Sequence, residues 1–401
     1  MKRIYTQYIK AHFAENNQML FLVGPRQVGK TTIAKQQQES YEESVYLNWD
    51  DVQDRTQMLS GQRFIEEVFP LNIVRDQKPL VIFDEIHKYR DWKNYLKGFY
   101  DRYSGSFDIL VTGSARLDIF QAGGDSLMGR YFQYRIHPLS VGELLNPERP
   151  EQDCIKSSAI EDENFDRLYT YGGFPNPFIK SSKSFSTKWN NLRSKQLFYE
   201  DIQNISNIHE VSQLEVLAEL MKLQSGQLIN RSSFAKKIQV TVQTVSRWIE
   251  VLERFYYCFQ IKPWSKNISR SLIKEPKIYM WDWSQIEEEG ARFESFVASH
   301  LLKGVHFWND LGLGKYGLYF LRDKDKREVD FLVCKDGKPW MIVEAKCSDK
   351  SMSKNVEHFQ AQAKSTHAFQ VVNSMKYVDR DCFEYDKPMV VPAKTLLSQL
   401  V

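Results

Sequence analysis

The run Gly24-Pro25-Arg26-Gln27-Val28-Gly29-Lys30-Thr31 carries the most specific chemistry in this chain of 401 residues. It fits G-x-x-x-x-G-K-[ST] in full, follows the apolar run Met19 to Val23 and opens a helix-forming stretch. Glycines there let the backbone wrap a β-phosphate with its N–H groups, and the helix N-terminus adds the positive end of its dipole. Lys30 would reach the β- and γ-phosphates, and the Thr31 hydroxyl would ligate Mg²⁺. Pro25, Gln27, Val28 and Thr32 complete the cradle, so the cofactors this run implies are ATP and Mg²⁺.

Two further runs suit that loop. Pro79-Leu80-Val81-Ile82-Phe83-Asp84-Glu85 reads as a buried strand that delivers two carboxylates to the sheet edge beside the phosphates. Asp84 would hold Mg²⁺ through water, and Glu85 would polarise the attacking water as general base. The next strand, Ile109-Leu110-Val111-Thr112-Gly113-Ser114, ends in hydroxyl residues suited to sensing a γ-phosphate, Ser114 first and Thr112 second. Arg116 and Arg130 are both candidates for a transition-state arginine, acting in cis or from a neighbouring subunit of a homo-oligomer.

A second group of chemistry-bearing residues lies near the C-terminus. Arg327 to Cys334, the turn Lys335-Asp336-Gly337-Lys338 and Pro339 to Lys346 form a hairpin by pattern, because an Asp-Gly turn joins two apolar runs. Glu344 and Lys346 stand two apart on one strand and face the same way, with Asp330 on the adjoining strand. Asp330 and Glu344 could bind Mg²⁺, Lys346 could orient a water or stabilise phosphorane charge, and Glu294 on an upstream helix could complete the site. The alternative is a surface ion pair without activity.

Charge points to a third site. From Arg231 to Lys277 there are ten Lys and Arg against three acids, a net +7 inside a chain whose total is +3. Such a segment is the footprint of a polyanion contact, or else a solvated charged face. Ser232 to Ile238 and Gln239 to Leu252 read as helix, tight turn, helix, with Thr241 as N-cap and Ala235, Ile238, Val245, Ile249 and Leu252 buried. Gln243, Thr244 and Arg247 then face outward at the start of the second helix, as in a recognition helix. Phe255 to Ile261 and Lys277 to Trp281 look like two strands, with a basic wing carrying Lys262, Lys266, Arg270 and Lys274. That is a winged helix, a module that contacts DNA or serves as an interaction element or ATPase lid.

The elements that must position these groups divide the chain into four: a P-loop ATPase core over 1–155, a helical lid or connector over 156–230, the winged helix over 231–285, and an α/β domain over 286–401. The first is read as a parallel α/β sheet from apolar runs at Met19 to Val23, Leu80 to Phe83 and Ile109 to Val111. The last is read as a helix, three strands, a second helix over Asn355 to Lys364 and a closing strand, Ala368 to Val372. Composition is globular, with 42% hydrophobic and 26% charged residues, and excludes disordered and collagen-like classes. Apolar runs of about five residues are too short to span a bilayer. A basic N-terminus without an apolar stretch gives no signal peptide, and five scattered cysteines give neither a disulfide framework nor a zinc site. The expected location is the cytoplasm.

The chain resembles the prokaryotic AAA+-like P-loop ATPases whose C-terminal half is classed as a domain of unknown function. The residues that carry the resemblance are Gly24 to Thr32, Asp84-Glu85-Ile86-His87-Lys88 with Trp92, Thr112-Gly113-Ser114-Ala115, Leu127 to Tyr131, His137-Pro138-Leu139-Ser140 with Glu143-Leu144, and Gly172-Gly173-Phe174-Pro175. It spans essentially the whole chain and implies an ATPase. Asp84 to His87 also echoes a helicase motif, but the other helicase signatures are missing. Glu294, Asp330 and Glu344-Ala345-Lys346 resemble the PD-(D/E)xK nuclease superfamily, without the proline of its name. The leading expectation is an ATP-driven protein acting on single-stranded, duplex or branched DNA, with a Mg²⁺-dependent nuclease site at its C-terminus. The alternative is a nucleotide-switched regulatory or defence ATPase whose nuclease-like domain only binds.

Overall fold

Met19–Val23 is apolar at every position, and as β1 it is buried throughout. It lies between β4 (Asp108–Gly113) and β5 (Tyr131–Arg135), both parallel to it. In the computed structural model, which describes residues 1–113, 127–148, 150–203, 208, 210–265 and 275–401, these strands belong to the first of two compact units, Met1–His137. With β2 (Ser44–Asn48) and β3 (Leu80–Asp84) they form an all-parallel five-stranded sheet in the order β2-β3-β4-β1-β5. The three inner strands are the ones the sequence names. Both edge strands escape that reading because Ser44-Val45-Tyr46-Leu47-Asn48 and Tyr131-Phe132-Gln133-Tyr134-Arg135 mix polar and apolar residues, as strands half open to water do. One face of the sheet packs Phe21, Phe83 and Val111 against Trp92, Leu96 and Phe99, with the Phe83 and Phe99 rings edge to face at 5.1 Å.

The second unit, Pro138–Val401, begins with helices and ends in a seven-stranded mixed sheet of order β12-β11-β10-β9-β8-β6-β7. Helices Val211–Leu223, Arg231–Ile238 and Val242–Arg254 precede the antiparallel pair β6 (Cys258–Pro263) and β7 (Lys277–Met280). The first of these strands starts at Cys258 and not at Phe255, because Tyr256 takes a left-handed φ of 58° that ends the helix in a turn. The strands then continue into the neighbouring domain. Lys262 and Pro263 of β6 pair in parallel with Tyr319 and Phe320 of β8 (Tyr316–Arg322), so the wing strands and the C-terminal strands share one sheet.

The rest of that sheet follows the expected order: helix Glu289–Asp310, β8, β9 (Glu328–Lys335), β10 (Lys338–Lys346), helix Lys354–Ala363 and β11 (His367–Val372). β9 and β10 are joined by Asp336 and Gly337 with φ of 50° and 76°, the two left-handed positions that a two-residue hairpin demands. β11 does not close the chain, since β12 (Met389–Pro392) pairs with it in parallel and leads into helix Ala393–Gln399.

Two motifs of the family resemblance turn out to meet inside this unit. The Leu139 N–H donates to the Gly173 carbonyl at 2.7 Å, and a Cβ on Gly173 would lie 2.6 Å from the Leu139 oxygen. Beside them Glu143, fully buried, pairs with the Lys303 ammonium at 2.5 Å, which also donates to Ser140 Oγ at 2.7 Å. Removing either partner would leave a buried charge uncompensated, at a cost of about 3–5 kcal/mol. These positions hold the fold together.

Candidate functional site

The phosphate loop leaves the C-terminal end of β1 and enters helix Lys30–Gln38. Gly29 precedes the helix at φ 104°, a conformation that a side chain would strain, and a Cβ on Gly24 would lie 2.3 Å from the Ile136 carbonyl. Both glycines are therefore required by geometry. Lys30 is nearly buried and folds across the loop, its ammonium donating to the Gly24 and Pro25 carbonyls at 2.9 and 2.8 Å. Pro25 and Val28 are buried, whereas Gln27, Thr31 and Thr32 are exposed. A brace that the sequence does not reveal comes from the N-terminus. The buried Arg3 guanidinium donates to the Val28 carbonyl at 2.6 Å and to the His137 carbonyl at 2.7 Å, while the His137 N–H donates to Tyr5 Oη at 3.1 Å.

Asp84 ends β3, which β4 separates from β1, and is buried to 2% exposure. Three hydroxyls donate to its carboxylate: Thr31 at 2.9 Å, Tyr46 at 2.5 Å, and Thr112. The Thr31–Asp84 pair brings the two oxygens named for Mg²⁺ together, and a hydroxyl beside a carboxylate is the hard donor set that ion prefers. When bound, the ion would neutralise charge on the phosphates. Thr112, the second choice for a γ-phosphate sensor, is instead committed to Asp84. Tyr46 escapes sequence reasoning because it sits on an edge strand 38 residues away in sequence. Burial and the Asp84 carboxylate push its phenol well above the ordinary range.

Glu85 follows in the left-handed region at φ 57°, with its N–H donating to the Thr112 carbonyl at 3.1 Å. A non-glycine residue held there costs about 1–2 kcal/mol, the kind of strain that clusters at working sites. Its carboxylate lies 3.4 Å from the Lys88 ammonium and 3.6 Å from His87 Nε2, and Lys88 also pairs with Asp50 at 2.5 Å. Arg130 is different. Its carbonyl accepts from the Met19 N–H at 2.9 Å, which puts it at the N-terminal end of β5 and β1, a strand length of roughly 16 Å from the loop. The guanidinium is paired with Asp101 at 2.6 and 3.1 Å. Ser114 and Arg116 lie outside the described residues.

In the second unit, β9 and β10 set Asp330 beside Glu344, and the long helix adds Glu294. Asp330 accepts from the Ala345 N–H at 3.0 Å, its own N–H donates to Glu344 at 3.4 Å, and Lys346 pairs with Glu344 at 2.8 Å. One member of the cluster is not foreseen by the sequence. Lys277, which by charge belongs to the basic segment, is 3% exposed and points its ammonium at Glu328 (2.8 Å), Glu294 (3.2 Å) and Asp330 (3.4 Å). Burial works against that charge, but the carboxylates of Glu294, Asp330 and Glu328 outweigh it and raise the Lys277 pKa. Burial, with the Asp330 charge added, pushes Glu294 and Glu344 above the usual carboxylate range. Among the described residues, no group of three or more His, Cys, Asp or Glu is arranged to hold a metal ion.

The helix-turn-helix keeps its expected buried face, and Trp248 adds to it. Thr241 caps the second helix by accepting the Thr244 N–H at 3.1 Å, and its hydroxyl is 3.0 Å from that of Thr244. Gln243, Arg247 and Lys262 are exposed, but Arg231 is paired with Glu275 and Lys277 is buried, so the basic footprint is smaller than the charge count. Lys266, Arg270 and Lys274 lie outside the described residues.

The first unit is thus a P-loop nucleotide fold with its acidic strand in place. Residues 16–145 match the family model described as an AAA domain, 162–285 match a domain of unknown function (DUF8612), and 289–396 match another (DUF4143). The chain therefore carries an AAA-family ATPase domain followed by two domains of unknown function. It is 23% identical over 353 residues to an uncharacterized protein of Mycobacterium tuberculosis, covering 84% of this chain and 72% of that one. An uncharacterized protein of Haemophilus influenzae is 22% identical over 351 residues, covering 80% and 81%. Among solved structures, AMPPCP-bound DnaA from Aquifex aeolicus is similar over 62% of this chain and 86% of that one, at 13% identity and a TM-score of 0.32. No helix among the described residues is long and apolar enough to cross a membrane.

Proposed function

We propose that this protein binds and hydrolyses ATP with Mg²⁺ and couples the nucleotide state to contact with DNA. The observation that carries the ATPase reading is the meeting of Thr31 and Asp84 at 2.9 Å, beside a loop whose two glycines have no room or no backbone freedom for a side chain. Lys30 would leave its carbonyl partners for the β- and γ-phosphates, Asp84 would hold the hydrated ion, and Glu85 would take the proton of the attacking water. Tyr46 and Thr112 act through Asp84 as positioning residues. The exposed Gln243, Arg247 and Lys262 support DNA as the partner, because a capped helix with polar and basic residues in its first turns suits a groove.

The test is nucleotide binding and turnover in two variants. Lys30→Ala should lose ATP binding, since the main counter-charge to the phosphates is gone. Glu85→Gln should bind ATP normally yet hydrolyse it on the order of 10²-fold more slowly or worse, the usual contribution of a general base. Undiminished turnover in Glu85→Gln would assign the base elsewhere.

A further inference from the structure

Lys277 sits inside the carboxylate cluster, against Asp330, one of the two groups named for Mg²⁺, and against Glu294. Its ammonium touches Glu328, Glu294 and Asp330 at once, and Lys346 takes Glu344, so each carboxylate already has a cation supplied by the chain itself. Arg322 also binds the second oxygen of Glu328 at 2.9 Å. The second oxygen of Asp330 accepts from the Ala345 N–H. Mg²⁺ demands near-octahedral oxygen ligands at about 2.0–2.1 Å. Bound by Asp330 and Glu294, it would lie beside the ammonium, a like charge, and compete with it for their oxygens.

The lysine stands on a segment whose main chain is held on both edges, with Ile261 of β6 on one and Leu228 on the other. The flanking peptides are tied too: Ile229 N–H donates to the Pro276 carbonyl at 2.9 Å and Ile278 N–H to the Gln227 carbonyl at 3.2 Å. The same segment packs Gly226 against the Glu294 carboxylate, where a Cβ would come within 3.0 Å of an oxygen.

We infer that Lys277 is an internal counter-cation that keeps this cluster free of divalent metal, so that residues 286–401 form a metal-independent module and do not cut DNA. The inference rests on reading those residues as nuclease-like. It extends that reading by assigning the role of the ion to a lysine donated from β7, on the strand pair that follows the helix-turn-helix. Glu294, Asp330, Glu344 and Lys346 then serve as an ion-paired seam between β7, the long helix and the β9–β10 hairpin.

The experiment is Mn²⁺ binding to the full-length protein, followed by electron paramagnetic resonance of the free ion, with Asp330→Asn as reference for uptake elsewhere in the chain. Wild type and Asp330→Asn should bind Mn²⁺ indistinguishably. Lys277→Met should gain a site at least tenfold tighter, lost again in the double variant with Asp330→Asn. If circular dichroism shows Lys277→Met unfolded, Lys277→Gln takes its place in the same comparison. Wild-type Mn²⁺ uptake that Asp330→Asn abolishes would overturn the inference while upholding the nuclease-like reading. Folded Lys277 variants that gain no site would overturn both, because the carboxylates would not be a metal set at all.

Discussion

Asp84 ends β3 and Asp108 opens β4; both are buried, and their surroundings differ. Asp84 collects three hydroxyl donors, whereas Asp108 has Tyr41 Oη at 2.9 Å, and burial pushes its carboxyl up to about 6 against the opposing pull of Tyr41 and Lys78. A carboxyl raised in the folded state penalises folding when ionised. The penalty is full above about pH 6, fades as pH falls, and is gone below its ordinary value of 3.8. A shift of that size corresponds to about 3 kcal/mol. Asp108→Asn, which keeps an acceptor for Tyr41, should therefore raise the melting temperature of the first unit at pH 7–8, with the gain vanishing toward pH 4. Equal gains at both ends of that range would mean that ionisation is not the cause. At this scale the phosphate loop was legible because its residues are contiguous and their order is the signal. Tyr46, Arg3 and Lys277 were not, because each reaches its site through strand pairing or a chain reversal that sequence spacing does not encode.

Elements were legible where their signals are local. The Asp336-Gly337 turn fixes the β9–β10 hairpin and with it the meeting of Asp330 and Glu344, and Thr241 marks the helix start that leaves Gln243 and Arg247 outside. The pairing of β6 with β8 was not legible, because a parallel pairing across more than fifty residues leaves no periodic trace. Its consequence is that Lys262 stands on a strand shared by the wing and the C-terminal sheet. Charge reversal at Arg247 and Lys262 should weaken DNA binding roughly tenfold, irrespective of sequence, because a cation on a phosphate carries no base information. The salt dependence should flatten by about one unit of slope for each phosphate that is no longer neutralised. Fluorescence anisotropy from 50 to 200 mM salt, roughly the range in which counterion release shows, is the measurement. Affinity unchanged by both the substitutions and the salt would make the helix pair a protein-interaction element.

At the scale of the whole molecule, the position of Arg130 bears on assembly. A parallel sheet puts its phosphate loop and its acidic strand end at one edge, while the residue that opens β5 is at the other. Arg130 is partly exposed there and held by Asp101 in a forked pair, so its guanidinium is shaped to grip an anion but is a strand length from the phosphate loop of its own chain. If that anion is a nucleotide on a second copy, hydrolysis would be a property of an assembly. Arg130→Ala should then bind ATP normally and lose turnover by about 10³-fold, the low end for a transition-state arginine. Lys30→Ala subunits, inactive themselves but with Arg130 intact, should restore part of that turnover when mixed with Arg130→Ala subunits, and wild-type specific activity should rise with protein concentration. The Arg130–Asp101 pair is open to water and contributes little to stability, so loss of activity through unfolding is a small risk. Full turnover by Arg130→Ala, or a lost activity that Lys30→Ala subunits never rescue, would confine Arg130 to its pair with Asp101.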